Sequence, residues 1–523
     1  MSARDHITRA ARRLSSLAVV LLAWVGLSAH VGTNQVVFEG QAGGYPVRVF
    51  IDPPGVVPAQ VPILVRVLDG TPARVTVRAA QWNVGTKGAP PPEAVAPVPG
   101  DPGVWAHSLW IMTASSYAVY VTVEGPAGSG QVLVPLQTSA TRMLGMQQGM
   151  GVLLAILGTL LVAGMLTIIG AARREATLPP GEQPTVAGVR RGRVAMIATA
   201  ALLAVALLGG ATWWNAEERA YARRMLRPIA ITSRLHGAGD DTRVLTLAIT
   251  DSLWRTNRYP ALLPDHGKLM HLFLVDPSRP EVSLAHLHPL RVHADTFVTR
   301  VPMLPAGRYL LFGDLLFQSG ATRTLVDTID FGVASAAAAA DSVPAFDGDD
   351  AWRTMTPVPI SSPAPLPGGA SMVLTADGPL IAGRDLRLQV AVRDAAGAAV
   401  ALEPYMGMAG HAMVVRPDGG VFVHLHPMGT ANMTAQAQLQ RAERGDTVVS
   451  GSAMNVSDPA TVDITGMGHD GHTMPTPIGV SAPAFPFAFP DAGEHLVFVQ
   501  VRRDGAVHTA AFRVTVGPRI ASR

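Results

Sequence analysis

The 523-residue sequence predicts a mainly β protein: three immunoglobulin-like or cupredoxin-like β-sandwich domains, two transmembrane helices and an N-terminal signal segment. Three observations predict it. Short alternating or β-branched runs recur between Gly and Pro clusters over residues 30–140, 228–334 and 359–518. Two uncharged runs, 149–172 and 194–214, are each about 20 residues, enough to cross a bilayer. Residues 262–289 and 402–428 are copies of one motif, LLPDHGKLMHLFLVDPSRPEVSLAHLHP and LEPYMGMAGHAMVVRPDGGVFVHLHPM.

Composition narrows the function classes. Charged residues are 15% of the chain, with 52 Gly, 42 Pro and a positive mean hydropathy, which suits membrane spans joined to loop-rich β domains. The formal charge of +3 comes without a basic block or interleaved aromatics, so nothing supports nucleic-acid binding. There is no cysteine. That excludes disulfides, iron–sulfur clusters, c-type haem attachment, thiol catalysis and a blue-copper centre, which needs a thiolate. A metal is left to His, Met, carboxylates or the chain terminus.

Along the chain, Arg4, Arg9, Arg12 and Arg13 precede an apolar run at 14–29, the pattern of a signal peptide or signal anchor. Cleavage after Ala29 would free His30, whose amine and imidazole together chelate copper; Leu27 is a poor minus-three residue, and otherwise His30 is an ordinary linker residue. Residues 34–137 read as a first β-sandwich, in which His107 and Met112 are structural. Between the two spans, Arg173, Arg174, Arg190, Arg191 and Arg193 outnumber Glu175 and Glu182. This places the loop 173–193 in the cytoplasm and the β domains on the periplasmic or outer side of a bacterial cytoplasmic membrane. Trp213 and Trp214 fit an interfacial belt, and 216–227 reads as a short polar helix. The twin modules, 228–334 and 359–518, flank a linker at 335–358 rich in Ala, Pro, Asp and Ser. The second carries an insertion, 429–476, with Met433, Met454, Met467, His469, His472 and Met474. It reads as a weak copper collector or as an inert polar loop.

The histidines carry the chemistry. Residues 282–288 and 421–426 read as strands, so His286 and His288 share one face, as do His424 and His426. Pro289 and Pro427 stop the strands. With Asp418-Gly419 central in a tight hairpin, His411 falls opposite His426 and Met413 opposite His424. In the first copy the turn 276–280 is longer, and His271 faces His286 or His288. Opposed Cβ atoms lie about 5 Å apart, so imidazoles converge on an ion roughly 2 Å from each. The expected sites are His271/His286/His288 and His411/His424/His426, with Met270, Met406, Met408, Met413 and Met428 as nearby thioethers. Imidazole plus thioether favours copper, above all Cu(I); zinc fits three histidines. The plain alternative is edge-strand histidines packed against loops with methionine as core filler.

Two likenesses accompany these motifs. Ala29-His30-Val31-Gly32 and residues 38–47, FEGQAGGYPV, resemble the FixH/YtkA-like exported β-sandwich proteins. The modules, through His-Leu-His-Pro and residues 485–490, FPFAFP, are similar to exported bacterial modules grouped with copper- or heavy-metal-handling proteins. The resemblance implies metal handling, with a periplasmic or membrane partner for transfer, and specifies no reaction.

The sequence thus leads to a membrane-anchored periplasmic protein that buffers, senses or delivers a metal, copper first. The alternative is an envelope structural or interaction module with packed histidines. A copper oxidative enzyme, with an open site at His30, ranks last because no substrate cleft or general-base set is legible. Asp265-His266 is too common a pair to indicate a hydrolase, and no Ser nucleophile motif is present.

Overall fold

Alternating burial organises the strands. Ala59–Val67, for example, buries Val61, Ile63, Val65 and Val67 and turns the intervening residues outward. The structure is a computed structural model. It describes residues 35–179, 181–237, 243–332, 345–445 and 483–519, and it is mainly β, with several antiparallel sheets and two long apolar helices. The signal segment, His30, Met454 and the run from Met467 to Met474 lie outside the described residues.

Residues 35–138 form a five-stranded and a four-stranded sheet over one core that includes Val49, Ile63, Val65, Val77, Val119 and Val121. His107 is not partnerless: its Nε2 lies 2.8 Å from Glu93 Oε2, while Met112 is exposed.

Each module repeats this plan. In the first, the sheet holding Arg243–Ile249 and Thr296–Val301 packs on the sheet holding His271–Asp276, Val282–Leu287 and Gly307–Phe317. In the second, Ser371–Ala376, Asp385–Arg393 and Ala484–Ala488 pack on His411–Val415, Phe422–Leu425, Gly493–Arg503 and Ala506–Val516. The expected linker 335–358 needs correction. Ala351–Met355 is a strand beside Val282–Leu287, pairing from His286–Ala351 to Val282–Met355, and Val358–Pro359 joins the second module's sheet. Its Pro, Ala and Asp content masked the strand Ala-Trp-Arg-Thr-Met.

The two histidine hairpins are buried on both faces, which explains why their strands read as continuous apolar runs. One face packs within its own module. The other meets the opposite hairpin, where Phe273, Val275, Val282, Leu284 and Phe312 pack on Met413, Val415, Phe422, Leu496 and Phe498. Phe312 stacks on Phe422 with centroids 4.3 Å apart.

The insertion also departs from expectation at its start. Residues 433–444 form a helix. Asn432 caps it by accepting from Ala435 N–H at 2.9 Å, and Gly445, with φ +76°, ends it. Leu439 packs with Tyr120 and Leu133, and Ala435 with Leu263 and Leu316. The preceding residues 428–430 lie along the edge strand Val36–Ala42: Glu39 N–H donates to Met428 O and Thr430 N–H to Val37 O, both at 2.9 Å. Beside them Arg48, its side chain 7% exposed, meets Glu39 at 2.5 Å and Asp385 at 3.4 Å, and Arg387 also binds Glu39. Removing one partner of a buried ion pair strands the others. Arg48→Ala is therefore expected to cost about 3 kcal/mol, read as a lower urea midpoint; an unchanged midpoint would remove the cluster from the account.

Residues 139–227 form a separate unit of two helices, α1 (Gln148–Glu175) and α2 (Val186–Arg224), long and apolar enough to cross a membrane. Gly170, Gly188 and Gly192 are buried where the helices meet; a Cβ on Gly192 would sit 2.8 Å from the Gly170 carbonyl. The expected loop 173–193 shortens to 176–185, because Arg190, Arg191 and Arg193 lie in α2. The polar helix expected at 216–227 is the continuation of α2 and ends at Arg224: no Gly or Pro lies between Trp214 and Arg224, and Ala, Glu and Arg carry the helix on.

Candidate metal centre

At one end of the apolar seam between the hairpins, seven histidines form one continuous cluster: His266, His271, His286, His288, His411, His424 and His426. The ladder pairs Phe273 with His286 and Leu272 with Leu287, so the next position outward puts His271 across from His288. In the second hairpin Met413 pairs with His424, and His411 lies across from His426 with ring centroids 5.4 Å apart. The turn there is a four-residue loop, 417–420, closed by Arg416 N–H donating to Val421 O at 2.9 Å. It keeps the register of the two-residue turn.

Two groups have ligand atoms within 4.8 Å of one another: His271/His286/His288 and His266/His411/His426. In the first, each ring has one nitrogen fixed by an acceptor. His271 Nε2–H donates to Asp265 O at 3.1 Å, and His288 Nδ1–H to Asp350 Oδ1 at 2.9 Å. His286 Nδ1–H donates to Gln500 Oε1 at 2.8 Å, and Gln500 Nε2–H donates to Thr509 Oγ1. The remaining nitrogens, His271 Nδ1, His286 Nε2 and His288 Nε2, are then lone pairs. His271 Nδ1 and His286 Nε2 face each other at 3.1 Å, and His288 Nε2 is buried without a partner. An outer nitrogen donating to a carbonyl, amide or carboxylate is how metal-ligating histidines are oriented.

The second group differs. Both nitrogens of His411 and His426, and Nε2 of His266 and His424, are buried with no hydrogen-bond partner. Each such group costs about 1–3 kcal/mol if left so. Burial holds His271, His286, His411 and His426 well below the ordinary imidazole value, so these rings are neutral and able to bind a cation. Asp265 lies among them. Asn432 Nδ2–H and Thr434 Oγ1–H donate to it at 2.7 and 2.9 Å. A buried anion among neutral rings leaves a pocket that a metal ion would neutralise.

These positions alter the expected ligand sets. His424 does not stand with His411 and His426 in the second group; it sits between the groups, 5.3 Å by centroid from both His271 and His411. Its place is taken by His266 of the first module. Sequence reasoning missed His266, although a signal was present: Pro264-Asp265-His266-Gly267 aligns with Pro404-Tyr405-Met406-Gly407. Both form the same turn, with φ +50° at His266 and +49° at Met406, each followed by a left-handed Gly. In both, the residues flanking that pair exchange backbone hydrogen bonds, Asp265 with Lys268 and Tyr405 with Met408.

The methionines are mostly elsewhere. Met270 follows strand alternation to the face opposite His271 and packs in the first module's own core. Met413 belongs to the apolar seam, and Met428 packs against the core of residues 35–138. Met408 is buried in its turn, leaving Met406 as the thioether on the position equivalent to His266. A further group, His288/Asp347/Asp350, supports the centre rather than competing with it. Lys268 Nζ lies 2.6 Å from both Asp347 carboxylate oxygens, and Asp350 is committed to His288.

Fold and site together define a β-sheet protein with two apolar helices and buried histidine groups suited to a metal ion. Residues 368–447, which include the second hairpin, match a domain of unknown function, DUF8832. The search of curated proteins finds no match. Among solved structures, the chain is similar to an ICAM-5 D1–D4 ectodomain fragment, at 10% identity and TM-score 0.14, covering 91% of this chain and 83% of that one. It is also similar to trypsin-activated alpha-2-macroglobulin from Escherichia coli, at 8% identity and TM-score 0.17, covering 92% and 24%. A third is a putative membrane anchored protein from Corynebacterium diphtheriae, at 8% identity and TM-score 0.13, covering 91% and 93%. At such scores these likenesses carry no argument.

Proposed function

We propose that this chain is a membrane-anchored metal-binding protein whose two modules, each an immunoglobulin-like or cupredoxin-like sandwich, build one histidine centre on the periplasmic side of a bacterial membrane. Copper is the first candidate ion, and the role is buffering, sensing or delivery rather than catalysis. The observation that carries this reading is the 3.1 Å approach of His271 Nδ1 to His286 Nε2 while their outer nitrogens donate to Asp265 O and Gln500 Oε1. Two lone pairs so placed repel unless a shared proton or a metal ion relieves them. Packed histidines of purely structural role would be expected to satisfy their nitrogens, and His411 and His426 leave both of theirs without a hydrogen-bond partner. Zinc is the second reading, favoured because both groups are all-imidazole and most methionines lie away from them. The FixH/YtkA likeness of residues 29–47 belongs to this reading as support for export.

Full-length protein in detergent, titrated anaerobically with Cu(I) against a chelator, tests it. Binding tighter than micromolar is expected. It should be lost when His271, His286, His288, His411, His424 and His426 are all alanine, and kept in His107→Ala, which alters a histidine outside the centre. No binding, or binding unchanged in the sixfold variant, would remove the proposal.

A further inference from the structure

The seven rings are not equally accessible. The His266 side chain is 13% exposed, against 6% for His424 and 2% for His288; as whole residues His271 and His426 are 2% and 3% exposed and His286 and His411 completely buried. His266 stands on a turn whose tip, Gly267, is exposed and has open space where a Cβ would be. Its backbone is left-handed at φ +50°, a conformation that costs a non-glycine residue about 1 kcal/mol or more. Its Nε2 has no hydrogen-bond partner and points among the buried rings, 3.4 Å from Asp265 Oδ1.

From His266 the rings continue inward without a gap. His426 and His411 lie 5.4 and 5.9 Å away by centroid. His424 is 4.7 Å from His426 and 5.3 Å from His411, and it is in turn 5.3 Å from His271 and 5.9 Å from His286. A metal binds an imidazole nitrogen at about 2 Å. Rings at this spacing can hold one ion jointly, so it need never be released into the apolar seam formed by Phe273 and Phe422.

The two groups also differ in how firmly they are built. Acceptors anchor every ring of His271/His286/His288, whereas His411 and His426 have no anchor on either nitrogen. An anchored set binds tightly and exchanges slowly, and an unanchored one pays reorganisation on binding.

Resting on the metal-binding reading above, we infer that His266 is the exchange ligand of a two-position centre. An ion is taken up and given away at His266/His411/His426, held at His271/His286/His288, and passed between them by His424. The partner is then a protein or small chelator that offers its own donor at the His266 turn and displaces that ring.

The test uses the detergent-solubilised full chain loaded with Cu(I) alone, with transfer to the chelator bicinchoninate followed in time. Asn tolerates the left-handed backbone, so His266→Asn keeps the turn while removing the imidazole; His266→Gly serves as a second variant. Wild-type protein is expected to hold two ions and His266→Asn one. The remaining ion should keep its affinity within about threefold but leave roughly tenfold more slowly. His286→Ala should do the reverse, losing the retained ion and keeping fast exchange. His266 variants that hold two ions and release them at the wild-type rate would overturn this inference and leave the metal-binding reading intact. Wild-type protein that binds no ion would overturn both.

Discussion

Replacing Gln500 with leucine is expected to weaken the tightest metal position by roughly 10- to 100-fold, the usual cost of losing a group that orients a ligating histidine. His286→Ala should cost more, abolishing that position. The comparison is informative because Gln500 belongs to the second module and His286 to the first, 214 residues apart in sequence. Gln500 is completely buried, its amide is held by Thr509, and its carbonyl oxygen lies 2.8 Å from His286 Nδ1. Leucine is close in size and keeps the packing, but it leaves His286 free to rotate or to adopt the other tautomer. The expected readout is unchanged stoichiometry with reduced affinity in Gln500→Leu and one ion fewer in His286→Ala. Equal affinity in Gln500→Leu and wild type would mean that the second module does not help build the first group.

The second large effect concerns acid. Burial lowers the values of His271, His286, His411 and His426, all enclosed. In the unfolded chain each ring titrates near 6.5. Below that value the unfolded state takes up protons that the native rings refuse, so the unfolded state binds more protons and stability falls as pH falls. Above it, both states are neutral and the contribution is fully present. Each ring contributes about 1.4 kcal/mol per pH unit in this window, so four together reach roughly 5 kcal/mol per unit. The metal-free protein is therefore expected to lose its denaturation midpoint steeply between pH 6.5 and about 5. Metal affinity, by contrast, should change little between about pH 7.5 and 6, because the folded rings are already deprotonated. Chemical denaturation across this range checks the first statement and Cu(I) competition the second. A midpoint flat with pH would show that the rings are hydrated rather than enclosed.

The strands were legible wherever alternation was strong, as at residues 243–249 and 385–393. So was the register of the second hairpin, because a period of two and a tight turn fix which residues oppose each other; in the first, the longer turn 276–280 left His271 facing either His286 or His288. The meeting of the hairpins was not legible. Apolar runs such as Val282–Leu287 declare both faces buried without saying what covers the second one. That is why His266 was missed: its partners belong to the other module, and its position depends on a left-handed turn rather than on a strand. Some errors were avoidable. Met270 immediately precedes His271 at the start of its strand and so faces away from it, and Met428 lies beyond the proline that ends the strand. The strand Ala351–Met355 and the helix at 433–444 were hidden by flanking residues of loop-like composition.

The central claim is that imidazoles on facing hairpins hold a metal ion. X-ray absorption at the copper edge of full-length protein, loaded with one equivalent and desalted, addresses it most directly. The account predicts a first shell of nitrogens at about 2.0 Å with the outer-shell scattering of several imidazoles, and its loss when His271, His286, His288, His411, His424 and His426 are all alanine. Copper that washes away on desalting, or a first shell of oxygen without imidazole scattering, would contradict it.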